Sequence, residues 1–256
     1  MMGPTSFAAM LLKLISCNVF QREASWCIAR SPHVIDVEYT ELGEHVRSAG
    51  LREIIQGKID ATEASGKAYD AILLLFGLCG NATIGLQARR TRLVIPRAHD
   101  CCTILLGSRK KFADHFAGAP STPFSSAGYI ERGNYFLRTS DDGAPEVQVG
   151  DAYQALVKKY GEDDAKYIWA EMHPDHGNNK AVFIELPQTS HLGYAQQFRA
   201  KAAEAGKEMV ELPGDIRLIE NLLLGNWDPK EYLTVPPAAV TEGVYDWEEV
   251  IRAKKP

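Results

Sequence analysis

The chain has 256 residues, 45% of them hydrophobic and 24% charged, with a formal net charge of −5. That is an ordinary globular composition, long enough to bury a full core without disulfide or metal staples. The acidic balance leaves no basic footprint for nucleic acid. Five cysteines, an odd number, are too few for a disulfide scaffold and point to a reduced, cytoplasmic protein.

The apolar run at 7–12 has no Lys or Arg before it and ends at Lys13, so it does not read as a signal peptide. No window approaches the roughly 18 continuous apolar residues of a membrane span. Residues 11–17 read as a first strand and 20–30 as a helix. A second strand follows at 33–39, where β-branched residues alternate. Residues 44–65 carry Val46, Leu51, Ile54, Ile55 and Ile59 at helical spacing. The run at 69–76 is apolar on both faces, as a strand inside a covered parallel sheet would be. Gly77-Leu78-Cys79-Gly80 breaks it, a short helix through Ile84, Leu86 and Ala88 follows, and 92–96 is a fourth strand. The spacing then predicts one helix over 101–116, with Asp100 as its N-cap.

Residues 118–150 are rich in Pro, Ser, Gly and Asp and are expected to hold a hairpin near 129–139, followed by helices at 151–160 and 163–172. The αβ rhythm returns with a strand at 181–185, a helix at 191–205 and a strand at 208–211. Asp215 is placed to cap a helix at 216–224, and 232–235 is a last strand. The tail, 241–256, reads as a surface helix with a frayed end. The pattern is that of an α/β fold with a doubly wound, mostly parallel sheet. It divides into a half carrying the cysteine motifs (1–117), an irregular insertion (118–180) and a second Rossmann-like βαβ half (181–256); one continuous domain is the other option.

Three cysteine positions share one setting. Cys17 ends strand one, Cys79 follows strand three, and Cys101 with Cys102 follows strand four. In an open parallel sheet these points lie on the carboxyl edge, where ligands bind, and adjacent strand ends are roughly 5 Å apart. Thiols in the first turn of a helix sit near N–H groups and the positive dipole end, which favours the thiolate. Cys17, Cys79, His99 and Cys101 therefore have the ligand types of a zinc or iron–sulfur site. Asp100 and Glu131 are the acid/base candidates, with His99 as a proton carrier. Gly77, Gly80 and Asn81 are placed to hold a cofactor. Buried packing is the competing explanation for each cysteine, and is the reading for Cys27 and Cys102. No Cys-x-x-Cys pair, P-loop, dinucleotide fingerprint or Gly-x-Ser-x-Gly is present. His173-Pro174-Asp175-His176 reads as a solvated turn, and His45 as a helix start or a group near the sheet edge. The clusters Arg89-Arg90-Arg92 and Arg109-Lys110-Lys111 read as solvated faces.

Tyr69-Asp70-Ala71-Ile72-Leu73-Leu74 leading into Gly77-Leu78-Cys79-Gly80-Asn81 resembles the central motif of a known family. Leu93-Val94-Ile95-Pro96-Arg97-Ala98-His99-Asp100-Cys101 with Leu106-Gly107-Ser108-Arg109 resembles its second motif. Pro213-Gly214-Asp215, Leu224-Gly225-Asn226-Trp227-Asp228 and Val235-Pro236-Pro237 resemble its C-terminal pattern. The family is domain of unknown function 1638, from bacteria and archaea, and the resemblance runs from about residue 14 to 237. The family pattern at Cys17, Cys79, His99 and Cys101 carries over position by position. Tyr129 stands at a position the family fills with Trp, and two extra residues precede His45. The resemblance implies proximity to corrinoid-dependent methyl transfer, with a corrinoid as cofactor and a corrinoid protein or methyltransferase as partner.

Three functions follow as expectations. The first is a metal-thiolate enzyme acting on a small-molecule substrate by methyl or related one-carbon transfer, with zinc, or else an iron–sulfur cluster, at the thiols. The second is a non-catalytic metal- or corrinoid-binding accessory protein. The third is a metal-free enzyme with Cys79 as nucleophile and His99 as base.

Overall fold

A computed structural model describes residues 8–42, 48–116, 122, 124–134, 161–162, 180–244, 246 and 248–255. Strand β1 (Leu11–Cys17) leads through a 3₁₀ turn, Asn18–Phe20, into helix α1 (Gln21–Ile28). Strand β2 (Val34–Thr40), helix α2 (Ser48–Ala64), β3 (Ala71–Leu75) and β4 (Leu93–Pro96) follow. In α2, Leu51, Ile55 and Ile59 are buried four residues apart, the stripe that the spacing predicted. All five residues of β3 are buried, as expected of a strand covered on both faces.

After β4 come α3 (Cys101–Leu106) and α4 (Arg109–Phe116). The single helix expected over 101–116 is broken at Gly107, whose φ of 70° is left-handed. A Cβ there would lie 2.6 Å from the Asp215 carbonyl, so a partner far along the chain fixes the break. Residues 81–88 form turns rather than a short helix. Gly85 and Ala88 donate backbone hydrogen bonds to the carbonyls of Thr241 and Ala239, so this stretch is spent on tertiary pairing.

Strand β5 (Phe124–Ser125) and helix α5 (Ala127–Gly133) follow. Where a hairpin was expected near 129–139, the described part is helical: Ile130 N–H bonds the Ser126 carbonyl and Asn134 closes the helix in the left-handed region. The rest of that hairpin, and the helices expected at 151–160 and 163–172, lie outside the described residues.

The chain continues through β6 (Lys180–Glu185), α6 (Tyr194–Glu204), β7 (Glu208–Pro213), α7 (Arg217–Leu223) and β8 (Tyr232–Val235). The helix begins one residue later than expected, with Ile216 as its N-cap, and Asp215, one residue further out, accepts from Arg217 N–H through Oδ1 at 2.9 Å. The tail is not a helix: β9 (Val240–Gly243) and β10 (Ile251–Lys254) pair antiparallel.

The central sheet runs β2-β1-β3-β4-β8, parallel through β4, with β8 antiparallel at one edge. A second, wholly parallel sheet runs β5-β6-β7. The fold is thus mixed α/β with a mostly parallel central sheet. Strand β6 is buried on both faces. Val182 and Ile184 join the main core with β1, β3 and β4, while Ala181 and Phe183 pack with Phe198 and Ala202 of α6. The period-two alternation of a strand produces that division.

Candidate functional site

The order β2-β1-β3-β4 puts the ends of β1, β3 and β4 side by side, and the three cysteine positions meet there. Cys79 Sγ and Cys101 Sγ are 3.9 Å apart, within hydrogen-bonding reach for sulfur. Cys17 lies close enough to feel the charge of Cys101 and to act on Cys79. Cys17 and Cys101 are buried, and Cys79 is the least buried of the three residues.

Local chemistry explains each position. Cys17 is the last residue of β1 and precedes the 3₁₀ turn, so the N–H groups of Asn18 and Val19 favour its thiolate. Burial first, then the neighbouring Cys101, outweighs them and pushes the Cys17 thiol well up. Cys79 stands in a left-handed turn, with φ 46° at Cys79, 64° at Gly80 and 72° at Asn81. Consecutive positive φ values are costly outside glycine and recur at functional turns. Cys101 opens α3 behind Asp100, whose Oδ1 accepts from Thr103 N–H at 2.9 Å and so caps the helix.

One expectation about charge is overturned. Helix starts were expected to favour the thiolate, yet Cys79 is followed by a turn, not a helix. Its hydrogen bond to Cys101, then burial, then the charges of Cys101, Cys17 and Asp100 hold its pKa well above the ordinary thiol value. Closely placed thiols oppose each other's ionisation, so Cys17 and Cys79 carry protons at neutral pH.

The remaining predicted residues divide. Asp100 belongs to the cluster, and burial raises its carboxyl pKa. Gly77 packs the loop after β3 onto the loop after β4: a Cβ would lie 2.6 Å from Asp100 Cα. Gly80 and Asn81 form the turn beside Cys79, and the Asn81 carbonyl accepts from Arg52 Nη2 at 2.8 Å. His99 follows the β4 end. Its ring lies against Phe112, centroids 6.2 Å apart, and burial lowers its pKa, so the imidazole is neutral. Its backbone carbonyl accepts from Cys79 N–H. Glu131 is spoken for by Arg22, whose Nε reaches both carboxylate oxygens at 2.8 Å, and by Tyr194 Oη at 3.1 Å. The Arg22 hydrogen bond, above all, holds the Glu131 pKa below its ordinary value. His45 and His173–His176 lie outside the described residues. The basic clusters are internally engaged: Arg89 pairs with Asp60, Arg90 with Glu63, and Arg109 donates to the Lys230 and Glu248 carbonyls.

Three polar residues at or near this edge were not singled out from the sequence. Asn18 Nδ2 donates to Glu41 at 2.7 Å, and Glu41 follows Thr40, the register partner of Cys17. Their signal was position, one residue beyond a strand end. Glu23 is buried on α1, where desolvation raises its carboxyl pKa to about 7.

Tetrahedral zinc bound at about 2.3 Å from each sulfur separates two thiolates by about 3.8 Å, close to the spacing of Cys79 and Cys101. Among the described residues, no group of three or more His, Cys, Asp or Glu forms a ready metal site. The dithiol fits an ion; a third protein ligand is not yet in place. Among the described residues no helix is long and apolar enough to cross a membrane.

Fold and site together define a mixed α/β protein with a thiol cluster at the carboxyl edge of a mostly parallel sheet. Residues 39–223, well over half of the chain, match the family model described as "Protein of unknown function (DUF1638)". The chain belongs to that family. Cys79, His99 and Cys101 fall within the matched stretch and Cys17 precedes it. No curated protein and no solved structure matches the chain.

Proposed function

We propose that the thiol cluster is a soft-cation site serving small-group transfer, with zinc as the ion and Cys79 and Cys101 as its paired thiolates. The observation that carries this reading is their 3.9 Å separation at the ends of neighbouring strands. Cys17, at the end of the neighbouring strand β1, would be the third sulfur to hold the ion. Mutual opposition to ionisation makes a bound cation the natural way for these thiols to lose their protons. Zinc, when bound, supplies Lewis acidity and an open position for a substrate sulfur or oxygen.

The chain's own groups then have distinct tasks. Cys79, the least buried of the three cysteines, meets the substrate. The Asp100 carboxyl, with its raised pKa, holds or releases a proton beside it. The Gly77–Asp100 backbone contact keeps the two thiol-bearing loops in register. Glu131, locked to Arg22, is left out of the chemistry. Transfer of a methyl or related one-carbon group, and a link to corrinoid metabolism, rest on the family resemblance alone. The five cysteines, none in a disulfide, support a cytoplasmic location. The β2-β1-β3-β4 order supports reading the two parallel sheets as Rossmann-like halves of a doubly wound chain.

The test is the metal and sulfide content of protein purified without oxygen, in wild type, Cys79→Ser and Cys101→Ser. About one zinc per chain in wild type, lost in both variants, supports the proposal. Full metal in the variants, or none in wild type after reconstitution, overturns it. The strained, partly exposed position of Cys79 favours one other reading, a metal-free nucleophile. Single-site alkylation of Cys79 in a protein that takes up no metal would select it.

A further inference from the structure

Strand β2 closes one edge of the central sheet and, among the described residues, pairs only with β1. Its residues match those of β1 one for one from Val34 to Thr40, so no bulge interrupts it, and it holds no Pro or Lys. Such devices normally blunt an open edge, because the edge offers a row of unpaired N–H and C=O groups to another chain. The opposite edge, β8, is four residues long and packs against β10. Trp26, Val34 and Val37 are the large hydrophobic side chains left exposed among the described residues, and two of them stand on β2, at 59% and 40%.

The backbone of β2 is sorted by direction. The Val34 N–H donates to the Met10 carbonyl at 2.9 Å, so Val34 points its backbone groups at β1. That direction alternates from residue to residue along a strand. Asp36, Glu38 and Thr40 therefore also point at β1, and Ile35, Val37 and Tyr39 direct their N–H and C=O groups outward from the sheet. Helices guard the two faces: α1 on one, where Tyr39 bonds Ser25, and α2 on the other, where Lys58 pairs with Glu38 at 2.7 Å. What stays open is the edge itself.

We infer that two copies of this chain associate through β2, by antiparallel pairing of the strand with itself about a twofold axis at Val37. The strand is its own complement there, as an isologous interface requires. Val37 meets Val37 of the second copy, and Ile35 meets Tyr39 of the second copy, each as a pair that exchanges both backbone hydrogen bonds. That register uses every outward-facing residue and sets apolar side chains against one another across the axis. Asp36 stands opposite Glu38 of the second copy, where bare like charges would oppose pairing. Both are already neutralised, Asp36 by Lys67 and Glu38 by Lys13 and Lys58. The sheet accepts an antiparallel strand at its other edge, β8, so a second one at β2 makes one continuous sheet through both copies.

The test is sedimentation velocity of the full chain under reducing conditions, over about 1–200 µM protein, with amide hydrogen exchange at both ends of that range. A concentration-dependent shift from the 28.3 kDa monomer towards twice that mass is expected. The amides of Ile35, Val37 and Tyr39 should exchange at least about tenfold more slowly in the dimer. Val37→Lys sets like charges face to face on the axis. Val37→Pro deletes an outward N–H and leaves the ladder to β1 its bonds. Both variants should stay monomeric throughout while keeping the wild-type circular dichroism spectrum. A wild type that is monomeric at the highest concentration overturns the inference, as does a dimer that survives in the folded variants. Slow exchange of the three amides in the monomer also overturns it, because another segment of the same chain then covers the edge. The thiols play no part, so Cys79→Ser should dimerise as wild type does, whatever its metal content.

Discussion

Replacing Glu23 with Gln tests the electrostatics of the core most sharply. Glu23 is 2% exposed, on the same face of α1 as Cys27, and its Oε2 has no hydrogen-bond partner among the described residues. Burial is the main cause that lifts its carboxyl from an ordinary 4.5 to about 7; Glu131 adds to the rise, while Arg22 and the residue's own backbone N–H oppose it. The raised value means that the native state holds the proton more tightly than the unfolded chain does. The associated stability is fully present below pH 4.5 and is lost as the pH rises through about 7. At 1.36 kcal/mol per pH unit, that interval corresponds to a loss of about 3 kcal/mol. Gln cannot ionise, so Glu23→Gln should match wild type near pH 4 and exceed its stability by up to about 3 kcal/mol near pH 8. Urea unfolding across that range, followed by tryptophan fluorescence, reads the difference. Parallel pH profiles for the two proteins, or a variant weaker than wild type at pH 8, would refute the reasoning.

Gly128→Ala places a Cβ 1.8 Å from the Val19 carbonyl oxygen. Since backbone must move, a loss of about 3 kcal/mol, or a fall in Tm of roughly 6–12 °C, is expected in a thermal melt. Gly57→Ala on α2, where nothing lies within 4 Å, should instead raise stability by about 0.5–1 kcal/mol by the same measurement. Glu131→Gln removes the ion pair with half-exposed Arg22 and should cost at most about 1 kcal/mol in urea. It should leave zinc uptake unchanged; a loss of uptake would return Glu131 to the site.

Much of the thiol cluster was legible because it follows from connectivity. Once Ala71–Leu75 reads as a doubly covered strand, the positions after β1, β3 and β4 fall on one edge, and Cys17, Cys79 and Cys101 come with them. Asp100 was legible as a cap because capping is local. What escaped was fixed by distant partners. Gly107 breaks a helix because Asp215 lies against it, and α5 forms where loop composition suggested a hairpin because Gly128 sits on Val19. The tail pairs as strands, and Val240 also bridges to Gln87. The ionisation state of Cys79 depends on a turn with positive φ and on two other thiols, neither visible in a window around it. Glu23 shares the i, i+4 face of Cys27, a faint signal that a carboxylate was heading inward.

Proton counting during zinc binding tests the central claim most directly. Cys17 and Cys79 are held protonated in the metal-free protein, by burial and neighbouring thiols at Cys17 and by the Cys101 hydrogen bond, burial and nearby charges at Cys79, so coordination through their sulfurs must expel those protons. Titration of zinc into weakly buffered, reduced protein at pH 7 should release about two protons or more per ion bound, with neither uptake nor release in Cys79→Ser. Zinc uptake without proton release, or no uptake by the reduced protein, would contradict a thiolate site.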